Sequence, residues 1–525
     1  MAGQGVAVEP FTSKRDPLSG RERPDASSRD AIAGLVLGEL RRVMPATSRG
    51  PLSPRSNLVA AGIDSFRLGD AVARIEGLYG MRFRDEWLTA IRTCADLVDC
   101  VAARMFDAAD RLPPAVPDKQ PSAGRGPAID DPFPECTALE ERLEGLTTHG
   151  LANPFLLANE EVHGRTARIA GHEVVSFASF DYLGLAGHPD VTRAAKDAID
   201  RFGTSASASR MVGGNNTLLD ELDAELAAFI GAERATVFPC GYGTNASVFA
   251  HLFGAGDLIL YDELAHDSIV RGAMASKAGK RTFRHNDFDQ LDGLLRDLRP
   301  DYRRVVVAIE GVYSMDGDYP DLPKFLEVKR RHDAMLYVDE AHSVGTMGPH
   351  GRGICEFFGV DPAEGDLWMG TISKALGSGG GYLAGSRRII DYLGFTTPSF
   401  VFSTACSPAN AAAALEAVRV IRREPWRVTR LRERSTFFLK LAMDAGLDTG
   451  PSGDTPVVPI IVGSSQRAMA ISQRLLERGI NARPILYPAV RESAARIRFF
   501  LTSEHTEEQI VRAVEELADA VAATA

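Results

Sequence analysis

The chain has 525 residues, 45% hydrophobic and 25% charged, an ordinary globular balance spread over more chain than one core can serve, so two or more domains are expected. Its 70 acidic residues outweigh 59 basic ones for a net charge of -11, which speaks against a nucleic-acid partner. No apolar run approaches a signal peptide or a membrane span, and six scattered cysteines form no CxxC pair. A reduced, cytoplasmic protein without a membrane span or metal site is predicted.

Residues 1–27 are polar and read as disordered. From 28 to 106 three apolar stripes recur at helical spacing, in "AIAGLVLGELRRVM", "FRLGDAVARIEGLYG" and "CADLVDCVAARMF", which predicts a small all-α bundle. At the start of the second stripe stands "GIDSF", placing Asp64 and Ser65 where a loop meets a helix. Both are favoured capping types, so a plain N-cap accounts for them as well as any chemistry does. Residues 107–136 are dense in proline, glycine and charge, the composition of a semi-extended linker; as a coil its ends would stand about 30 Å apart.

Beyond 137 short β-branched runs alternate with helical patterns: "ATVFP", "DLILYD", "RRVVVAIEGV", "AMLYVDE", "DLWMGT" and "GYLAG". That alternation predicts an α/β fold with a mostly parallel sheet covered on both faces. A large domain over about 180–405 would be followed by a smaller α/β domain over about 410–525, joined by the 137–180 segment.

Two constellations carry chemistry. "CGYGTNA" sets Gly241, Gly243 and Ala246 between a strand and a helix, with Asp262 ending the next strand. This is a dinucleotide pattern on its face, but helix-terminal amides hold any phosphate. The second is more demanding. "YVDEAHSVG" puts Asp339 and His342 at the end of a buried strand, and "GTISKALGSGGG" puts Lys374 just after another, with Thr371 before it. A lysine there can form a Schiff base with a carbonyl cofactor, and a carboxylate can pair with a protonated pyridine nitrogen; a pyridoxal-phosphate enzyme needs both. His285, His332 and His350 are predicted at the surface.

"FDYLGL", "CGYGTN", "DELAHDSI", "EGVYSMDGD", "VDEAHSVG", "GTISKALG" and "ARIRFFLTSEHT" occur in the order in which they stand in the α-oxoamine synthases. On these motifs residues about 150–515 resemble that family of fold-type I pyridoxal-phosphate transferases, which includes 8-amino-7-oxononanoate synthase, 5-aminolevulinate synthase, serine palmitoyltransferase and 2-amino-3-ketobutyrate ligase. The resemblance implies Lys374 as the cofactor lysine and general acid/base, Asp339 on the pyridine nitrogen, His342 near the ring hydroxyl and His266 on the ring face. It further implies Gly241, Tyr242 and Thr371 around the phosphate, Ser314 against the cofactor, and Arg498 on the substrate carboxylate. Ser403 and Thr404 would reach the phosphate from the partner subunit of a homodimer. Phe180 and Ala489 stand where relatives carry polar residues, which leaves the choice among glycine, alanine and serine open.

Residues 28–106 resemble acyl carrier domains, which present D-S-L at the start of their second helix; here it is Asp64-Ser65-Phe66. Ser65 would then carry 4'-phosphopantetheine, loaded by upstream acyl-loading or polyketide-type enzymes. The reading is a biosynthetic condensation of an amino acid with an acyl thioester held on Ser65, giving an α-aminoketone and CO2. Its rivals are an acyl-CoA-dependent synthase with a helical appendage, an NAD-linked oxidoreductase built on "GYGTNA", and a non-catalytic scaffold.

Overall fold

The computed structural model describes residues 29–44, 52–58, 93–105, 151–487 and 489–524, with single positions between 61 and 91 and between 133 and 144. Asp64, Ser65 and the segment 1–27 lie outside the described residues, as does most of 107–136. Two compact units divide the chain, Met1–Ala128 and Ile129–Ala525.

The first unit holds helices Arg29–Val43 and Cys94–Met105. Ile32, Val36 and Leu40 recur every four residues on one helix and join Leu97, Val98 and Val101 of the other in a single buried cluster. Each such aliphatic side chain contributes about 1.5–3 kcal/mol when fully buried. Positions 68, 71, 72, 75 and 78 are helical too, and Ala71, Val72 and Ile75 enter the same cluster. The second helix starts on a reciprocal cap: Thr93 N–H donates to Asp96 Oδ2 at 2.7 Å, and Asp96 N–H donates to Thr93 Oγ1 at 3.3 Å. That satisfies two backbone groups left free at a helix start.

The second unit opens with a small sheet of β1 (Glu161–His163), β2 (Thr166–Ile169) and β3 (His172–Ser176). Seven strands form the main sheet: β4 (Arg234–Phe238), β5 (Asp257–Asp262), β6 (Gly279–Phe283), β7 (Arg304–Glu310), β8 (Met335–Asp339), β9 (Leu367–Thr371) and β10 (Gly381–Gly385). Their order is β4-β10-β9-β8-β7-β5-β6. β10 runs antiparallel to both neighbours and the remaining pairs are parallel. β5 is buried at every position and β7 at all but its first, as expected where helices cover both faces. The edge strand β6 is mostly half-exposed; its polar sequence "GKRTF" hid it from the pattern reading.

The parallel topology fixes where the site lies. Asp262, Glu310, Asp339 and Thr371 are the last residues of β5, β7, β8 and β9, so their side chains converge beyond one edge of the sheet, where open α/β sheets bind ligands. The rest of the unit carries β11 (Val457–Ile461), β12 (Ile480–Asn481), β13 (Arg483–Ile485) and β14 (Arg496–Phe500). Strands β11, β14 and β13 form a three-stranded antiparallel sheet. β12 instead runs parallel to β3 and completes the opening sheet. Among the described residues no helix is long and apolar enough to cross a membrane.

Candidate active site

Helix Gly241–Leu252 follows β4 after two residues, and its N-cap, Cys240, makes no side-chain capping bond. Its first amides are left to another acceptor. β10 packs closely here because Gly381 has no side chain: a Cβ would lie 2.7 Å from Gly241 Cα and from Thr244 Oγ1. A Cβ on Gly241 would stand 3.0 Å from Thr371 Oγ1, so the Thr371 hydroxyl lies against this helix end. Thr371 Oγ1 also meets Ser373 Oγ at 2.5 Å and donates to Gly380 O at 2.9 Å. Gly377 lies in the turn after Lys374 with φ +58, in the left-handed region; a Cβ there would approach Ala186 N at 2.6 Å.

Asp339 sits at the centre of a buried polar chain. Its Oδ2 accepts from Asn245 Nδ2 at 2.7 Å, and its Oδ1 accepts from Ala341 N–H at 2.9 Å. Tyr337 O–H donates to Asn245 Oδ1 at 2.7 Å, which orients the amide. Asn245 Nδ2 also reaches Ser268 Oγ at 2.9 Å, and Ser268 Oγ lies 2.7 Å from His266 Nδ1. Two buried side chains, Asn245 and Ser268, thus link the carboxylate to the exposed His266. Asn245 and Ser268 were not singled out from the sequence, although Asn245 is the asparagine of "GYGTN".

Lys374 is half-buried and makes no ion pair within 4 Å among the described residues. Burial lowers its pKa, against which the charges of Asp339 and Glu310 act, while Arg498 adds to the lowering. Glu310 is buried and accepts from His266 N–H at 2.6 Å. Burial, reinforced by Asp339, drives its pKa well above the usual carboxylate value. His342 Nδ1 lies 2.6 Å from Tyr182 Oη, and Phe180 meets its ring edge-on at 5.8 Å between centroids. Burial, with Lys374 and Arg498 nearby, holds His342 well below its ordinary pKa, so the ring is neutral at pH 7.

Arg498 Nη1 donates to Ser314 O at 2.8 Å, and the guanidinium lies 4.5 Å from the Phe500 ring centroid. Its buried Nε has no partner among the described residues, and burial brings its pKa down to about 10. Its neighbour Arg496 is satisfied by Asp316 at 2.7 Å. Tyr242 O–H donates to Asp267 at 2.8 Å beside His266. The structure therefore brings Lys374, Asp339, His342, His266, Thr371, Gly241, Tyr242, Ser314 and Arg498 to one end of the sheet. Ser403 and Thr404 follow the short helix Pro398–Val401 and join none of these bonds; Thr404 and Ala489 are exposed.

The histidines predicted at the surface divide. His350 is exposed, but His285 and His332 are mostly covered, with side chains 18% and 13% accessible. His285 bridges two acids, with Nδ1 2.9 Å from Asp262 and Nε2 2.7 Å from Asp318, and Tyr313 packs edge-on against its ring. Asp262 also accepts from Leu264 N–H and Asn286 N–H. The acid that a dinucleotide reading needs is thus committed to its own loops. Burial disfavours the His285 cation, but the two carboxylates outweigh it and lift the pKa to about 10. The folded pKa exceeds the unfolded value near 6.5, so the stabilisation is complete below about pH 6.5 and lost as pH rises through 10. In urea unfolding, the stability gap between wild type and His285→Asn should therefore shrink from pH 7 to 10; a gap unchanged across that range would mean a neutral His285.

The arrangement defines a class. The chain belongs to the aminotransferase class I and II family, which matches residues 172–517, and it is a pyridoxal-phosphate-dependent acyltransferase of the α-oxoamine synthase kind. It is 39% identical over 376 residues to an 8-amino-7-oxononanoate synthase of Symbiobacterium thermophilum, covering 72% of this chain and 95% of the relative. It is similar to the solved serine palmitoyltransferase of Sphingomonas wittichii at 31% identity and TM-score 0.72, covering 76% and 99% of the two chains. A structure of SPT with PLP matches at 29% identity and the same TM-score of 0.72, covering 75% and 99%. The residues present fit pyridoxal phosphate: uncapped helix amides beside the Thr371 hydroxyl suit a phosphate, the oriented Asp339 carboxylate suits a pyridinium, and Lys374 suits a carbonyl carbon.

Proposed function

We propose that the enzyme joins the α-carbon of an amino acid to the acyl carbon of a thioester carried on a phosphopantetheine at Ser65. The new C–C bond forms as the C–S bond breaks; the thiol leaves, the amino acid's carboxyl departs as CO2, and an α-aminoketone remains. The observation that carries the reading is Lys374, whose ammonium form is disfavoured by burial, set in the same field as the hydrogen-bonded Asp339.

Bound pyridoxal phosphate supplies an electron sink for charge developing at the α-carbon. Asp339, fixed by Asn245, would hold the proton on the pyridine nitrogen, and the Gly241 and Tyr242 amides with Thr371 would receive the phosphate. His266 would cover the ring face, His342 would stand at the ring hydroxyl, and Ser314 would lie beside the ring. Lys374 Nζ accepts the α-proton and returns it after CO2 has left. Arg498 offers a planar fork to the carboxylate. Ser403 and Thr404 complete the phosphate site of the partner subunit in a homodimer.

The donor assignment rests on "GIDSF", on the helical first unit and on the linker composition of 107–136. A tethered thioester reaches an effective concentration in the millimolar range. Intact mass after co-expression with a promiscuous phosphopantetheinyl transferase, followed by peptide mapping, tests it. One phosphopantetheine on the Ser65 peptide is expected. An unmodified Ser65, under conditions that load a control carrier, would make Ser65 a helix cap and acyl-CoA the donor.

A further inference from the structure

Arg483 and Arg498 are cross-strand partners in the β13–β14 pair. Directly opposite residues of an antiparallel pair share a face, with Cβ atoms about 5 Å apart, and like charges there are destabilising. Arg496, two residues before Arg498 on the same face, is neutralised by Asp316. Among the described residues neither Arg483 nor Arg498 has a carboxylate within 4 Å. Arg483 spends Nη1 on Pro154 O at 2.8 Å and is half-buried. Burial without an acid partner lowers its pKa, the signature of a cation held short of counter-charge.

Arg483 also lines a cavity of about 620 Å3 into which Lys374 opens. Phe155, Leu157, Val162, Phe180 and Ile485 give it apolar walls. Among the described residues Asp181 is the one acid in its lining, and it already accepts from Leu185 N–H and Ala186 N–H at 2.8 and 3.2 Å. A hydrocarbon chain fits such walls, and an isolated guanidinium beside it fits an anion.

We propose that Arg483 is a second anion site, distinct from the carboxylate fork of Arg498, which binds a negatively charged group on the acyl donor. This rests on the thioester reading above and narrows its substrate class. The anion is either the phosphate of the pantetheine arm or a carboxylate at the far end of the acyl chain, and both present the same chemistry to a guanidinium.

Calorimetric titration of the pyridoxal-phosphate-loaded full chain decides, with three non-reactive thioethers: S-octylpantetheine, S-octyl-4'-phosphopantetheine and S-(7-carboxyheptyl)pantetheine. One of the two anionic probes should bind about tenfold to a hundredfold more tightly than the neutral one. R483Q and R483M should erase that margin, and R483K should keep part of it. Preference for the phosphate probe assigns the anion to the arm, and preference for the carboxylate probe assigns it to the chain end. Equal binding of all three by wild type, or a margin that survives in R483Q, would overturn the proposal. The wild-type comparison stands even if a variant fails to fold. Binding needs no turnover, so condensation without anion preference sinks only the Arg483 assignment, whereas preference without condensation sinks only the proposed reaction.

Discussion

Lys374→Ala should lower condensation by at least about 10^2- to 10^4-fold, the range of a positioned general acid/base. The cofactor should still bind through the helix end and Asp339. Borohydride, which should fix the cofactor to the Lys374 peptide in wild type, should fix none in the variant. The fold should survive the change. Lys374 makes no ion pair within 4 Å among the described residues, and its ammonium lies over the Phe180 ring, 5.7 Å from the centroid. A buried ammonium without a close partner is a cost to the folded state rather than a support. Small primary amines supplied in the buffer should restore part of the rate, because they replace the missing base without altering anything else in the site. Turnover within threefold of wild type would remove Lys374 from the chemistry.

The second large effect is expected at Ser65. Ser65→Ala should abolish phosphopantetheine attachment and reduce carrier-dependent turnover to background, while the response of cofactor absorbance to added amino acid stays unchanged. The loss reflects delivery: a thioester on a tether competes at an effective millimolar concentration, and the same acyl group free in solution at micromolar levels does not. Unaltered turnover with the wild-type donor would place the acyl group on CoA. The two variants separate the two halves of the account, since one removes the proton carrier and the other the acyl carrier.

How much was legible in the sequence depended on distance along the chain. The buried strands announced themselves because both faces of β5, β7, β8 and β9 are covered, so "DLILYD" and "RVVVAIE" read as continuous apolar runs. Asp339 and Lys374 were visible because each closes or follows such a run. β6 and β1–β3 were not, since exposure leaves them polar.

Partners brought together by topology were harder to see. His285 looked like a surface residue because its acids stand 23 residues before it and 33 after it. Only the parallel order of β5 and β7 places their following loops side by side. The Asn245–Asp339 bond spans 94 residues and needs the helix Gly241–Leu252 to lie over β8. The facing of Arg483 and Arg498 is a matter of strand register, which no composition reveals.

The most direct test of the central claim is a single-turnover experiment on the whole chain, loaded with pyridoxal phosphate and carrying an acyl-phosphopantetheine on Ser65. After addition of a carboxyl-labelled amino acid, intact mass and labelled CO2 are followed together. The account predicts that the acyl mass leaves Ser65 at the rate at which labelled CO2 and α-aminoketone appear, one of each per acyl group. An acyl group that stays on Ser65 while the same chain condenses acyl-CoA would contradict it.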